Sequence, residues 1–471
     1  MLLERMYDED LAQASYLIGC QATGEALLVD PRRDTAEALA LAAAHDMRIT
    51  AVAETHIHAD YLSGSREIAV RTGARMYVSD EGGPDWRYGP EFDDAVRLRD
   101  GDEIRIGNLT VRALHTPGHT PEHLAYLVTD GAQADEPGYL VSGDFVFVGD
   151  VGRPDLLDEV QGTTDSRFAG ARELFASLRD RFLTLPDYVQ VLPGHGSGSA
   201  CGKALGAVPS TSVGYERRFA WWAPYLAADD EDGFVAELLS GQPDAHAYFA
   251  RMKRENRLGP ALLRDAELTE FTPGALEEQL DQDRAILIDT RDATLVRTGT
   301  VPGSINIPGL AKAASYGAWA IDPEREPRAL VVLAGDAAQA TEFRDHLVRV
   351  GIDTVTGFIS ALDGLPLAPV PTVTPADLAD FPHAQLLDVR GRAEYAEGHI
   401  PGAVQLSAGR ALWHLDELPE DDTIVAHCRS GARVSVVASA LRREGFDVVE
   451  LEGSYLGWQA AQQPAAAPIT N

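Results

Sequence analysis

Five stretches in the first 200 residues carry side chains that can hold a metal. They are His56-x-His58-x-Asp60-Tyr61, His119 in TPGHT, Asp144 in SGDF, Arg153 and Asp155 in VGRPD, and His195 in LPGHG. Imidazoles and carboxylates together suit zinc or iron. A lone histidine is usually a surface or core polar group. These histidines and Asp144 each follow an apolar run and sit in a turn. The second chemical centre is a thiol. IVAHCRSGARVSVV runs from an apolar strand into Cys428, and the loop from Arg429 to Arg433 leads into an amphipathic helix. Loop amides, the helix N-terminus and the two arginines favour a sulfur anion at such a place. Arg433 follows Cys428 by five residues, a loop short for a phosphate and sized for one sulfur atom.

Two further cysteines carry less signal. Cys201 lies six residues after His195 in GHGSGSACGKALG, a glycine-rich loop that can bring a thiol to the mouth of a metal pocket. Cys20 sits inside an apolar strand and reads as packing. Lys203, Arg217 and Arg218 are the candidate positive mouth for an anionic substrate.

The elements that position these groups follow from hydrophobic periodicity. In residues 1–200, SYLIGC, EALLVDP, RITAVAET, LTVRALH, HLAYLVTD, GYLVSGDF and YVQVLPG read as strands. TAEALALAAAHD reads as a helix. Turns bearing His or Asp follow β-rich segments, which collects ligands at one rim of a two-sheet α/β sandwich. Residues 201–265 read as a helical appendage to this first domain.

The remainder holds an internal repeat. AILIDTRDATLVRTGTVPGSINIP matches QLLDVRGRAEYAEGHIPGAVQLS, with Asp289, Arg291, Pro302 and Gly303 each 99 positions before Asp388, Arg390, Pro401 and Gly402. A second block, 330–355 against 424–449, is offset by 94. Each copy alternates strand and helix, so each is expected to be a small parallel-sheet α/β domain. Ungapped alignment puts Ala334 where Cys428 stands and Gln339 where Arg433 stands. The first copy therefore carries no thiol chemistry and reads as scaffold. The expected domains are 1–265, 268–366 and 372–462.

Composition bounds the partners. The chain has 471 residues, a formal net charge of −33, three lysines and three cysteines. An acidic surface repels nucleic acid and anionic membranes. Three scattered cysteines are no disulfide framework. The N-terminus lacks the pattern of a signal peptide, and no apolar run is long enough to span a membrane. A cytoplasmic enzyme without nucleic-acid or membrane partners is expected, and a homo-oligomer with it.

The spacing of the metal motif resembles the metallo-β-lactamase superfamily throughout residues 1–200, and residues 372–462 resemble a rhodanese domain. In order of domains, nearly the whole chain is similar to the persulfide dioxygenase–sulfurtransferase fusions. Their αβ/βα metallo-β-lactamase sandwich precedes a degenerate and an active rhodanese-like domain. Binuclear hydrolases of the superfamily have a histidine where Tyr61 stands. A phenol with a pKa near 10 is a poor ligand at neutral pH, so a two-metal hydrolase is disfavoured. The resemblance implies one Fe(II) per chain on His56, His119 and Asp144, a facial triad with open positions. It makes His58, Asp60 and His195 groups that orient the ligands. Arg153 and Asp155 match the family's G-R-x-D stretch, and Tyr61 would form a polar wall.

What the resemblance implies is sulfide detoxification. A low-molecular-weight thiol persulfide and O2 would give sulfite at the metal. Cys428, aided by Arg429 and Arg433, would pass sulfane sulfur to sulfite to give thiosulfate. Cys201 is a candidate thiol beside the metal. The rival reading is a zinc thioesterase of glyoxalase II type fused to a sulfur-relay module.

Overall fold

The computed structural model describes residues 1–156, 166–264, 266–419 and 421–462. It divides into two compact units: Met1–Ala245 with Phe249–Arg264, and His246–Tyr248 with the described residues from 266 onward. Both are α/β, the fold class expected from the sequence.

The first unit holds two six-stranded sheets. One runs in sequence order from Leu2–Asp8 to Val96–Leu98, and the other from Glu103–Ile106 to Thr211–Ser212. Side chains alternate across each strand and give the layering. In Gln13–Cys20, Tyr16, Ile18 and Cys20 join Val111, Tyr126 and Val141 in the core between the sheets. Leu17 points the other way, into a layer with Ala38, Ala42 and Ile68 from helices Ala36–Ala44 and Ser65–Thr72. Helices Ser166–Ser177 and Glu231–Leu239 cover the second sheet with Leu174, Phe175, Phe234 and Leu238. Strands covered on both faces need the near-continuous apolar runs seen in this sequence.

The second unit holds two five-stranded parallel sheets, and they share one topology. The first has strands Thr269–Glu270, Ala285–Asp289, Ile305–Asn306, Ala329–Leu333 and Val355–Ile359. The second has Thr372–Val373, Gln385–Asp388, Val404–Gln405, Ile424–His427 and Val448–Leu451. In each, the spatial order is first, fifth, fourth, second, third. The internal repeat is thus a repeat of fold. Helices Ala313–Ala320 and Ala432–Arg443 join the two copies. No helix among the described residues is long and apolar enough to cross a membrane.

Candidate functional site

The metal-type residues sit where strands of the first unit end. Strand Arg48–Ala53 delivers His56, Leu109–His115 delivers His119, Tyr139–Gly143 delivers Asp144, and Gln190–Pro193 delivers His195. One ligand atom each from His56, His119 and Asp144 falls within 4.8 Å of the others. Close backbone approach is needed, and glycine permits it. A Cβ on Gly152 would meet the Asp144 carbonyl at 1.9 Å, and one on Gly194 would meet Asp144 Oδ1 at 2.8 Å.

Hydrogen bonds fix which atoms are free. Thr55 Oγ1 donates to Asp30 Oδ2 at 2.8 Å, so it accepts from His56 Nδ1 at 2.9 Å. His119 Nδ1 donates to the Arg153 carbonyl at 3.0 Å. Both Nε2 lone pairs are left facing Asp144 Oδ2, at 3.9 Å from His56 and 3.5 Å from His119. Asp144 Oδ2 is buried and has no hydrogen-bond partner. A buried carboxylate oxygen is rarely left so. Two neutral imidazoles and an orphaned carboxylate oxygen fit a divalent metal. Burial lowers the pKa of His56 well below the usual value and lowers that of His119, which keeps both rings neutral.

His195 stands behind this group. Its Nδ1 donates to Asp144 Oδ1 at 2.7 Å and its Nε2 to Asp60 Oδ2 at 2.8 Å. Burial opposes its charge, but Asp144 and Asp60 outweigh burial and raise its pKa to about 10. His58 turns away from the cluster. Its Nε2 lies 3.1 Å from Glu54 and 3.2 Å from Asp30. Tyr61 is fully buried. Its phenol donates to the Asp30 carbonyl at 3.2 Å and accepts from Gln13 at 3.3 Å. Burial, then Asp30 and Glu54, push the phenol pKa well above its usual value. Tyr61 is therefore a neutral wall group. Arg153 pairs with Asp155 and donates to the Ala200 carbonyl at 3.0 Å, tying the Cys201 loop to the His119 side.

Three expectations need correction. Lys203 is bonded to Glu237 and to the Ser240 carbonyl and lies 5.0 Å over the Trp221 ring. Arg217 holds the Leu183 and Leu185 carbonyls and pairs with Asp187, while Arg218 lies over Phe219. Lys203 and Arg217 are thus committed to local carboxylates and carbonyls rather than held free for a positive mouth. Cys201 is not at a mouth either. It is 2% exposed, grouped with Asp60 and His195, and burial pushes its thiol pKa well up. Residues 201–265 are more than an appendage, since Asn256 of helix Phe249–Leu258 donates to the His58 and Tyr61 carbonyls at 2.8 and 2.6 Å.

Lys253 of that helix and Glu122, from the turn after His119, are buried groups the sequence did not single out. Lys253 is buried 3.3 Å over the Trp86 ring, and burial lowers its pKa to about 7. Glu122 holds the Ile57 amide at 2.8 Å, and burial raises its pKa to about 7. The scarcity of lysine was the only available hint: one of three is spent in the interior.

In the second unit, strand Ile424–His427 runs into Cys428. The sulfur is 1% exposed and accepts the Gly431 N–H at 3.1 Å. Ser454 Oγ accepts the Cys428 N–H at 3.4 Å and lies 3.9 Å from the sulfur. Arg429 is exposed, while Arg433 makes two bonds to Glu394, at 2.6 and 2.9 Å. In the first copy, Ala334 and Gln339 line a cavity of about 630 Å³ with Thr290, Gly335 and Asp363.

Comparison with known proteins agrees with this geometry. Residues 8–195 match the family described as Metallo-beta-lactamase superfamily, and residues 374–461 match the Rhodanese-like domain. A probable metallo-hydrolase of Burkholderia pseudomallei is 34% identical over 212 residues, 40% of this chain and 69% of that protein. The mitochondrial persulfide dioxygenase ETHE1 of Homo sapiens is 28% identical over 197 residues, 41% of this chain and 68% of the relative. A crystal structure of a metallo-β-lactamase from Staphylococcus aureus is similar over 76% of this chain and 99% of its own, at 37% identity and a TM-score of 0.68.

Proposed function

The chain is an enzyme that belongs to the metallo-β-lactamase superfamily and carries a rhodanese-like domain, and from that premise we propose an iron-dependent persulfide dioxygenase joined to a sulfurtransferase. The observation that carries it is the cluster of two free Nε2 atoms and one orphaned carboxylate oxygen, beside a tyrosine committed to backbone. His56, His119 and Asp144 would hold Fe(II), which supplies one-electron chemistry toward O2. Thr55 and the Arg153 carbonyl fix the tautomers of the two histidines. His195 holds Asp144 by its other oxygen and links it to Asp60. Asn256 keeps the His58–Tyr61 turn in place.

The balanced reaction converts a thiol persulfide, O2 and water to the thiol, sulfite and two protons. At the second centre, the Cys428 thiolate, held by the Gly431 N–H, would attack the outer sulfur of another persulfide; that S–S bond breaks and the carrier thiol leaves with its electron pair. Sulfite then attacks the outer sulfur of the Cys428 persulfide. The S–S bond breaks, its electron pair returns to Cys428, and thiosulfate leaves.

The test is metal content of anaerobically purified protein, paired with O2 uptake on adding a thiol persulfide. About one iron per chain with persulfide-dependent uptake supports the reading. A second reading, a zinc hydrolase, draws on Asp60, His195 and Cys201, whose ligand atoms also fall within 4.8 Å of one another. Roughly two zinc ions per chain and no O2 uptake would replace the first reading with that one.

A further inference from the structure

We propose that Arg297, carried by the copy without chemistry, is a positioning residue for Cys428; its functional meaning rests on reading Cys428 as a sulfur carrier. Arg297 belongs to the short helix Ala293–Thr298. Its Nη2 donates to the Gly431 carbonyl at 2.9 Å, and its Nε donates to Glu450 at 2.9 Å. Gly431 is the residue whose N–H reaches the Cys428 sulfur at 3.1 Å. Its φ is 119°, in the region that favours glycine. A Cβ there would meet Arg297 Nη2 at 2.9 Å.

The grip fixes the rotation of Gly431. Its carbonyl already accepts the first bond of helix Ala432–Arg443, from Ser435 at 3.3 Å. Arg297 approaches the same oxygen from the neighbouring copy. With the carbonyl held by two donors, the amide on the other side of Gly431 is held toward the sulfur. The same copy grips the next turns of that helix. Ser435 Oγ donates to Asn306 Oδ1 at 2.5 Å, and the Asn306 backbone N–H donates to Ser439 Oγ at 3.0 Å. Asn306 is itself anchored to the Asp289 and Arg291 carbonyls at 2.8 and 2.9 Å.

The arrangement runs one way. Ala396 stands at the position equivalent to Arg297, and Ala337 at the position equivalent to Gly431. The silent copy therefore props the loop that does chemistry and receives no matching prop in return.

The experiment is the rate of Cys428 alkylation by iodoacetamide in the full chain at one fixed pH, resolved by peptide mass. It is run on the parent, Arg297→Met and Arg297→Lys. Glu450 keeps Arg442 at 3.3 Å in each variant, so its buried carboxylate is not stranded. Arg297→Met should slow alkylation roughly tenfold, because the amide no longer favours the sulfur anion. Lysine can still donate to the Gly431 carbonyl and should recover much of the rate.

An unchanged rate overturns the proposal. So does a faster one, which is the result of a loop merely loosened around a buried thiol. Loading from thiosulfate is measured alongside. There the S–S bond of thiosulfate breaks, sulfite leaves with its electron pair, and Cys428 gains the mass of one sulfur. Slower alkylation with no loading in the parent would remove the sulfur-carrier reading and leave the clamp standing. Slower alkylation with equally slowed loading supports both.

Discussion

The two halves of the second unit keep the same scaffold and differ in what stands on it. Asp289–Arg291 and Asp388–Arg390 are matching pairs. In each, the arginine meets its aspartate at 2.6 Å and a glycine carbonyl eight residues on at 2.8 Å. In each, the strand before the loop is buried in a parallel sheet of the same order. At the loop they part. Cys428, Gly431 and Arg433 face Ala334, Ala337 and Gln339. In the first copy, Asp336 caps the helix by accepting the Gln339 amide at 2.9 Å, and Gln339 reaches back to the Gly335 amide at 3.1 Å. The shared pair maintains the turn and the residues that differ are those proposed for chemistry, so the repeat keeps its fold while its loop varies.

The largest expected effect comes from Cys428→Ser. Sulfur transfer to sulfite should fall by roughly a thousandfold or more while persulfide-dependent O2 uptake persists. Unchanged thiosulfate yield would erase the distinction between the copies. The converse is Ala334→Cys with Gln339→Arg. Restoring both side chains should yield less than about 1% of the Cys428 loading rate, because no left-handed glycine turns an N–H toward residue 334. Loading near the Cys428 rate would show that the side chains alone suffice.

Two smaller effects sharpen the scaffold side. Asp388→Asn should cost about 3 kcal/mol in denaturant unfolding, since it strands Arg390 in a buried site. Asp289→Asn should cost less, roughly 1–2 kcal/mol, because Arg291 is 27% exposed. Equal losses would mean that both pairs bear the same burden. The smallest effect concerns Glu394, whose counterpart in the first copy is the exposed Leu295. The Arg433 hydrogen bonds hold its carboxyl below the ordinary 4.5. Its contribution is complete above that value and is lost as pH falls through the lower folded one. Glu394→Gln should lower stability slightly at neutral pH and leave it nearly unchanged at the acid end, which flattens the acid limb, as read from urea midpoints across pH.

The fold was legible because apolar runs and turns mark each strand, and because Asp388–Arg390 and Asp289–Arg291 announce the repeat at constant spacing. The convergence of His56, His119 and Asp144 was legible for a related reason: residues that end neighbouring strands meet at one rim. Direction was not. Charge placed Lys203, Arg217 and Arg218 near the site, but sequence does not say that Glu237, Asp187 or a carbonyl is closer. Burial was not legible for Cys201, whose glycine-rich loop looked open. Asn256 and Arg297 act across long separations, from segments whose own pattern reads only as helix. A polar side chain on a helix carries no signal of the distant carbonyl it will meet.

A repeat with Ala334 and Gln339 where its partner has Cys428 and Arg433 would by itself be dispensable for sulfur transfer. Arg297 and Asn306 tie it to that partner, because both reach into the loop and helix beside Cys428. A contact of this kind works as an evolutionary ratchet. If the neighbour depends on the strut, losing the first half would cost the second, and the pair would be kept as one unit.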